Sequence, residues 1–352
     1  MRTADLKIED VAFGGKGVAR ENGKAVFIPF TIDGETVSAE IVREKKKFAE
    51  AEVVEVREPS PHRVQPECPY FGRCGGCSYQ HVVYEHQLAI KWRQVRDVLQ
   101  RIGKLTDIPM RPIIPSPLSY HYRNRITVHV EEGVIGVFRR DSHRLIDIEQ
   151  CPIAQDEVNH ALAELRASRP REGHYTLRAA PGTRVFTQAN DAVAASLREL
   201  LGQLIPTGQD LLIDAYCGAG FFAQAMLDKF EQIIGIDWDR FAIEAAKQTA
   251  SPKETYIAGD VEMELNRALE QSHGRKKVVI VDPPATGLTG NVRDAIVRAA
   301  PATLLYVSCN PPTLARDVKD LRQRYTVESV TPLDMFPQTA EIEVAVHLQA
   351  TA

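Results

Sequence analysis

From Gln209 onward, short apolar runs alternate with helical stretches, and this alternation limits the possible folds more than any other feature of the chain. The runs at 211–214, 232–237, 255–257, 277–282, 303–308 and 343–348 read as strands, most of them separated by amphipathic segments. Such a series builds a doubly wound α/β domain, a largely parallel sheet with helices on both faces. Ligands bind such sheets at the carboxyl ends of the strands. The chain has 352 residues, which is too long for that domain alone and leaves room for one or two more.

The region before it reads differently. Residues 1–57 carry several short runs, among them 25–30 and the alternating Val37, Ala39 and Ile41, with turn signals at Gly14-Gly15-Lys16-Gly17 and Asp33-Gly34. Several short strands in so little chain predict a small antiparallel, OB-like barrel, a shape that offers loops and a face to single-stranded nucleic acid. Pro59, Pro61, Pro66 and Pro69 mark a linker. Leu88, Trp92, Val95, Leu99 and Ile102 then fall on one helical stripe that ends at Gly103, and the stripe reads as core. Residues 110–190 look strand-rich, and a helix at 192–204 should be capped by Asn190. The expected architecture is therefore multidomain: a barrel at 1–58, a central α+β domain at 59–185 and the doubly wound domain at 186–352.

Net charge is −4, which excludes a generally basic nucleic-acid coat. The charge is uneven, however: residues 61–150 sum to +4 and include Arg123, Arg125, Arg139, Arg140 and Arg144, so this third is the one expected to face a polyanion. No apolar run reaches the length of a bilayer and the start lacks a signal-peptide core. A cytoplasmic monomer is expected, with no membrane association and no obligate protein partner.

Cysteines supply the first chemical signal. Cys68, Cys74 and Cys77 sit in a Gly- and Pro-rich loop, and Cys151 follows later, before Pro152. Four converging thiolates could hold zinc or an iron–sulfur cluster. The close trio among Gly72, Gly75 and Gly76 favours [4Fe–4S] over zinc, which more often uses two paired Cys-x2-Cys hooks. Cys74-Gly-Gly-Cys77 alone could be a redox dithiol, but Cys68 and Cys151 would then be unexplained.

A second signal lies at the strand ends. The first run of the α/β domain leads into Tyr216-Cys217-Gly218-Ala219-Gly220, a turn whose glycines let a ligand approach the backbone. Cys217 reads as a small packing residue. Asp237 ends the second strand and suits two ribose hydroxyls; Asp260 follows the third and suits an adenine amino group. This ordered series fits S-adenosylmethionine better than a phosphate-bearing cofactor. Any one such Asp is usually a helix cap.

The third signal is catalytic. Asp282-Pro283-Pro284 ends the fourth strand, and the rigid prolines aim Asp282 into the cleft. Amino-group methylases follow the prolines with a stacking aromatic, and Ala285 stands there instead. The next strand ends in Ser308-Cys309-Asn310-Pro311, and Glu341 and Glu343 precede or open the last strand, sharing one face by the period of two. Carbon 5 of uracil is too weak a nucleophile to accept a methyl group directly. A thiolate added at carbon 6 activates it, and a carboxylate can then remove the carbon 5 proton.

With these residues in hand, the chain resembles the RNA 5-methyluridine methyltransferases that carry a TRAM domain and an iron–sulfur cluster, over nearly its whole length. The resemblance makes the barrel, with Gly14-Gly15-Lys16-Gly17-Val18-Ala19-Arg20, a TRAM domain, and Cys68, Cys74, Cys77 and Cys151 the four ligands of a [4Fe–4S] cluster. Phe186-Thr187-Gln188-Ala189-Asn190 is similar to the family's Phe-x-Gln-x-Asn segment, implying that Gln188 meets cofactor and base. Tyr216, Asp237 and Asp282 fall on further cofactor positions, Cys309 on the nucleophile and Glu343 on the general base. Three positions depart from the family pattern: Ala285 replaces an Arg, Glu341 replaces a His, and Phe221 stands where a polar residue is common. The implied activity is methylation of uracil C5 in structured RNA, ribosomal RNA first and the T-loop uridine of tRNA second. A non-catalytic RNA-binding protein with a sensing cluster is the rival reading.

Overall fold

Five strands open the chain: β1 (Arg2–Val11), β2 (Lys16–Glu21), β3 (Lys24–Pro29), β4 (Thr36–Glu44) and β5 (Phe48–Glu58). In the computed structural model, which describes residues 2–180 and 187–351, they close into a barrel in the order β1-β2-β3-β5-β4. Alternate residues point inward, so Leu6, Ile8, Ala19, Val26, Ile28, Val37 and Ala39 form its core. The expected all-antiparallel pairing needs one correction. β3 and β5 run parallel, with Val26 beside Ala49, because closure brings the last strand back against the third. Lys45, Lys46 and Lys47 lie exposed between β4 and β5.

The central region begins with α1 (Tyr84–Arg101) and continues as β6 (Arg125–Glu131), β7 (Val134–Phe138), β8 (Leu145–Asp147), α2 (Asp156–Ala167) and β9 (Gly173–Arg178). The four strands order as β8-β7-β6-β9, and α2 packs Val158 and Leu162 against Val128 and Val130. The strand-rich reading of 110–190 misses α2. On α1 the expected stripe holds at Val95 and Leu99, which are fully buried, but Ile102 is 42% exposed. The stripe is rotated, because the buried face includes Gln87, Lys91 and Gln94.

Those buried polar groups are satisfied by residues far away in sequence. Lys91 Nζ donates to Asp334 Oδ1 at 2.6 Å and to the Phe336 carbonyl at 3.0 Å, and both charged side chains are wholly buried. Removing one partner of such a pair strands the other charge out of water, at a cost of about 3–5 kcal/mol. Lys91→Met is therefore expected to lower the unfolding free energy by about 3–5 kcal/mol. Urea titration checks this, as a lower midpoint at unchanged m-value; a loss under about 1 kcal/mol would contradict it.

The last part comprises α3 (Asp191–Leu204), β10 (Gln209–Ala215), β11 (Phe230–Asp237), α4 (Arg240–Thr249), β12 (Glu254–Ala258), α5 (Val261–Gln271), β13 (Lys277–Val281), α6 (Gly290–Ala299), β14 (Thr303–Ser308), α7 (Pro311–Leu321), β15 (Tyr325–Leu333) and β16 (Glu343–Ala350). The sheet order is β12-β11-β10-β13-β14-β16-β15, parallel except at β16, which runs antiparallel to both neighbours. Along each central strand, alternate residues feed two cores. Leu211, Ile213, Val279 and Val281 pack under α5, α6 and α7, whereas Leu212, Val278 and Ile280 pack under α3 and α4. Val95 and Leu99 of α1 join the first core, so the central region supplies a helix to the α/β domain. As expected, Asn190 caps α3, its side chain accepting from Val193 N at 3.3 Å. No helix among the described residues is long and apolar enough to cross a membrane.

Candidate active site

Parallel register brings the chemical residues to one edge of the sheet. Ala215 pairs with Val281, and Val281 with Tyr306. Tyr216 and Asp282 therefore leave their strands side by side, with Cys309 beyond them at the end of β14. The antiparallel partner completes the group, since Ser308 pairs with Val344 and sets Glu343 at the level of Cys309. Asp237 ends β11 and Asp260 follows β12 on the same edge.

A cavity of about 390 Å³ opens there, walled by Gln188, Tyr216, Gly218, Phe221, Asp282 and Arg198 among others. This lies within the range of roughly 300–1,000 Å³ usual for small-molecule sites. The turn after β10 is wound to suit it: Tyr216 takes φ 66° and Gly218 φ 55°, both left-handed. A Cβ on Gly218 would meet nothing within 4 Å, so backbone is open to a ligand. Gly220, with φ 84°, serves packing instead, because a Cβ there would run into the Tyr256 hydroxyl. Gly220, Asp237 and Asp260 stand outside the cavity wall. Asp237, nearly buried, holds the turn from behind: Gly218 N donates to its Oδ2 at 2.8 Å and Asp239 N to its Oδ1 at 2.8 Å. Asp260 caps α5, accepting from Met263 N at 3.1 Å. Cys217 is buried in the core, as a packing residue should be. Phe186 lies outside the described residues.

The catalytic candidates form a tight electrostatic group. Asp282 is half-buried in the cavity wall and Glu343 is 3% exposed, with Oε1 unpartnered. Burial raises both carboxyls above the usual carboxylate range, and for Glu343 the neighbouring Asp282 and Glu341 add to this. Two neighbouring acids partly withdrawn from water cannot both ionise easily. Cys309 is solvent-exposed as a residue, yet partial burial and then the charges of Glu343 and Asp282 push its thiol up to about 11. In the free protein it is therefore a thiol held beside a protonatable pair. Glu341 and Glu343 differ from the expected shared face. β16 begins at Glu343, so strand alternation does not reach Glu341, which is exposed while Glu343 is buried.

In the central region, Cys68, Cys74, Cys77 and Cys151 line a single cavity of about 170 Å³ between the cysteine loop and β6. Burial raises the Cys77 thiol to about 12 and the Cys151 thiol to about 11, and the other cysteines add smaller contributions. Such thiols become thiolates only with a cation among them. Gly76 N already donates to Cys74 Sγ at 3.3 Å, and Cys151 N donates to Asn159 Oδ1 at 2.8 Å. Among the described residues no three His, Cys, Asp or Glu stand close enough to grip one metal ion. The four cysteines expected as ligands nevertheless share that one cavity.

Known proteins resemble this chain along nearly its whole length. Residues 171–351 match the family model described as tRNA (Uracil-5-)-methyltransferase, and residues 2–54 match the TRAM domain. An RNA methyltransferase of Bdellovibrio bacteriovorus is 32% identical, over 98% of this chain and 94% of that one. This chain belongs to the tRNA (uracil-5-)-methyltransferase family. Another of its relatives, an RNA methyltransferase of Aquifex aeolicus, is 29% identical over 96% of each chain. Among solved structures, the Pyrococcus abyssi tRNA (uracil-54, C5)-methyltransferase in complex with S-adenosyl-L-homocysteine superposes over 98% of this chain and all of its own, with a TM-score of 0.75 at 23% identity. The chain is accordingly an RNA methyltransferase with an N-terminal TRAM barrel.

Two of the positions expected to depart from the family pattern, Ala285 and Phe221, have definite surroundings in the fold. Ala285 is exposed, and its carbonyl accepts from Thr313 Oγ1 at 3.1 Å, so no side chain reaches the cleft from that position. Phe221 turns a cavity wall apolar, stacking edge-on to Phe222 with the Arg198 guanidinium 5.1 Å from its ring centre. Arg198 and Asp191 were not singled out from sequence. The signal was available, since Asp191, Ala194 and Arg198 follow helical spacing on α3 directly after the Asn190 cap and line the same cavity.

Proposed function

We propose that this protein methylates carbon 5 of a uridine in structured RNA with S-adenosylmethionine as donor, ribosomal RNA being the first candidate and the T-loop uridine of tRNA the second. The observation that carries the reading is that strand register brings Cys309 and Glu343 to the same sheet edge as Asp282, which itself lines the cavity walled by Gln188, Tyr216 and Gly218. The cavity's size and its bare Gly218 backbone suit an elongated nucleoside cofactor. S-adenosylmethionine, when bound, supplies an electrophilic methyl group.

The chain's own residues do the rest. Asp282 orients the flipped uracil from the cavity wall. Cys309, which is exposed and gives its proton to water, adds through Sγ to carbon 6, and the electron pair of the 5,6 double bond moves onto carbon 5 and the adjacent carbonyl. Carbon 5 then bonds to the methyl carbon as the donor's sulfur–carbon bond breaks. Glu343 removes the remaining carbon 5 proton, the double bond reforms, and Sγ leaves. A carboxylate whose affinity for protons is raised by burial suits this last task, because it is the stronger base once ionised. The TRAM barrel and the arginine-rich central region would hold the RNA, with the target base flipped out of its stack.

The four cysteines would hold a [4Fe–4S] cluster in a structural role, since methyl transfer moves no net electron. The test is mass spectrometry of nucleosides from ribosomal and transfer RNA, compared between cells with and without the gene. Loss of 5-methyluridine from one pool is expected, and it would identify the substrate class. Unchanged levels in both pools would overturn the reading.

A further inference from the structure

β15 and β16 are antiparallel neighbours, with Leu333 paired to Glu343, yet the connection between them is no tight hairpin. The loop is held from outside by residues of both preceding regions. Lys91 donates to the Phe336 carbonyl at 3.0 Å. That carbonyl also accepts from Thr339 N at 3.2 Å and from Thr339 Oγ1 at 2.9 Å, and Thr339 Oγ1 accepts from Glu341 N at 3.1 Å. Gln87 grips Gln338 at both ends, its Nε2 donating to Gln338 Oε1 at 2.9 Å and its Oε1 accepting from Gln338 N at 3.0 Å. The Gln338 carbonyl accepts from Ser78 N at 3.0 Å and Tyr79 N at 2.9 Å, directly after Cys77. The Tyr122 hydroxyl donates to the Pro337 carbonyl at 2.9 Å.

The barrel reaches the same junction. A Cβ on Gly15 would lie 3.1 Å from the Cβ atoms of Ala340 and Ser78. Gln94 Nε2 donates to the Val11 carbonyl at 3.0 Å and to the Tyr79 hydroxyl at 2.9 Å. Gln338 itself takes φ 67°, a conformation that a non-glycine residue holds only where its surroundings impose it. Burying two long polar side chains, Gln87 and Lys91, to hold one loop costs side-chain entropy that a self-contained hairpin would not incur.

The loop carries Glu341 and leads to Glu343, and it leads to neither Cys309 nor Asp282. Cys309 and Asp282 follow strands flanked on both sides within the sheet, and neither is reached through this connection. We infer that Gln87, Lys91 and Thr339 are positioning residues for Glu343, so that the junction of barrel, cysteine loop and α1 sets where the base stands relative to Cys309. This rests on the covalent route above. It has a specific consequence: loosening the junction slows removal of the carbon 5 proton while leaving addition to carbon 6 and methyl transfer intact.

The experiment uses full-length Thr339→Val and Gln87→Met, with Glu343→Gln as reference. The first removes one hydroxyl at nearly constant volume, and the second keeps a long side chain at the buried site. RNA from cells lacking the gene is the probe, methylated with labelled S-adenosylmethionine. Turnover, KM for RNA and the protein–RNA adduct that survives denaturation are each measured per folded molecule, as judged by circular dichroism. The expected result is kcat lowered on the order of tenfold with KM unchanged, and a several-fold rise in adduct toward the Glu343→Gln level. Parental kcat and adduct per folded molecule in both variants would overturn the inference. So would adduct falling together with kcat, which places the defect at thiol addition. Failure of Glu343→Gln alone to accumulate adduct reports on the covalent route itself, and would remove the inference along with it.

Discussion

Cys309→Ala should abolish methyl transfer, by at least about 10⁴-fold in kcat, while S-adenosylmethionine still binds. The separation follows from geometry: Sγ lies at the end of β14, whereas the cavity wall is built from the turn after β10, the start of α3 and Asp282. Without the sulfur no group among these can add to carbon 6, and carbon 5 stays too weakly nucleophilic. Cys309→Ser should be nearly as inactive, because an alcohol is far harder to ionise at a site where partial burial, and then Glu343 and Asp282, already push the thiol up to about 11. Two measurements check this. Methyl incorporation into RNA from cells lacking the gene should disappear, and calorimetric binding of S-adenosylhomocysteine should match the parent. Residual turnover within about tenfold of the parent would remove Cys309 as nucleophile. Lost cofactor binding would instead mean that the substitution had disturbed the turn at Tyr216.

How far such residues can be read from sequence depends on the local signal. The run 303–308 coincides with β14, and the central strands agree within a few residues, because a buried parallel strand is a continuous apolar run with little else to be. The shared edge of the candidate residues was legible for the same reason: once strand ends are known, the residues after them lie together. β15 was not legible. It carries Thr326, Glu328, Ser329 and Pro332, and its burial comes from β16 and from bridges to Met110 and Ile114 far upstream. Gln87, Lys91 and Gln94 break the apolar stripe of α1, and their partners Asp334, Gln338 and Val11 lie in other regions of the chain. No local pattern encodes such partnerships. Glu341 and Glu343 look equivalent by alternation, and only the strand's starting point separates an exposed acid from a buried one. Two of the Asp residues at strand ends show the same limit, since Asp260 caps a helix and Asp237 holds the turn.

Glu343→Gln should convert the enzyme into one that starts the reaction and does not finish it. Gln keeps the shape of the buried side chain but cannot accept a proton. Addition of Cys309 and transfer of the methyl group precede the step that needs the base, so both should proceed. The product would then remain bonded to Sγ through carbon 6, methylated at carbon 5 and still carrying the proton there. Turnover should fall by about 10³-fold, in the range that loss of a well-placed general base produces. A protein–RNA species resistant to denaturant should build up to near stoichiometry with the enzyme, containing one labelled methyl group. Electrostatics work in favour of trapping. Replacing a buried carboxyl with a neutral amide removes the neighbour that most raises the Cys309 thiol after burial itself, so the thiolate forms more readily than in the parent. Denaturing gel electrophoresis of the variant with labelled cofactor decides the matter. An adduct carrying label places Glu343 after methyl transfer. An adduct without label would place it at or before methyl transfer. No adduct, with turnover near the parent's, would move the proton-abstracting role to Glu341, which lies two residues upstream and already bears on the Cys309 thiol.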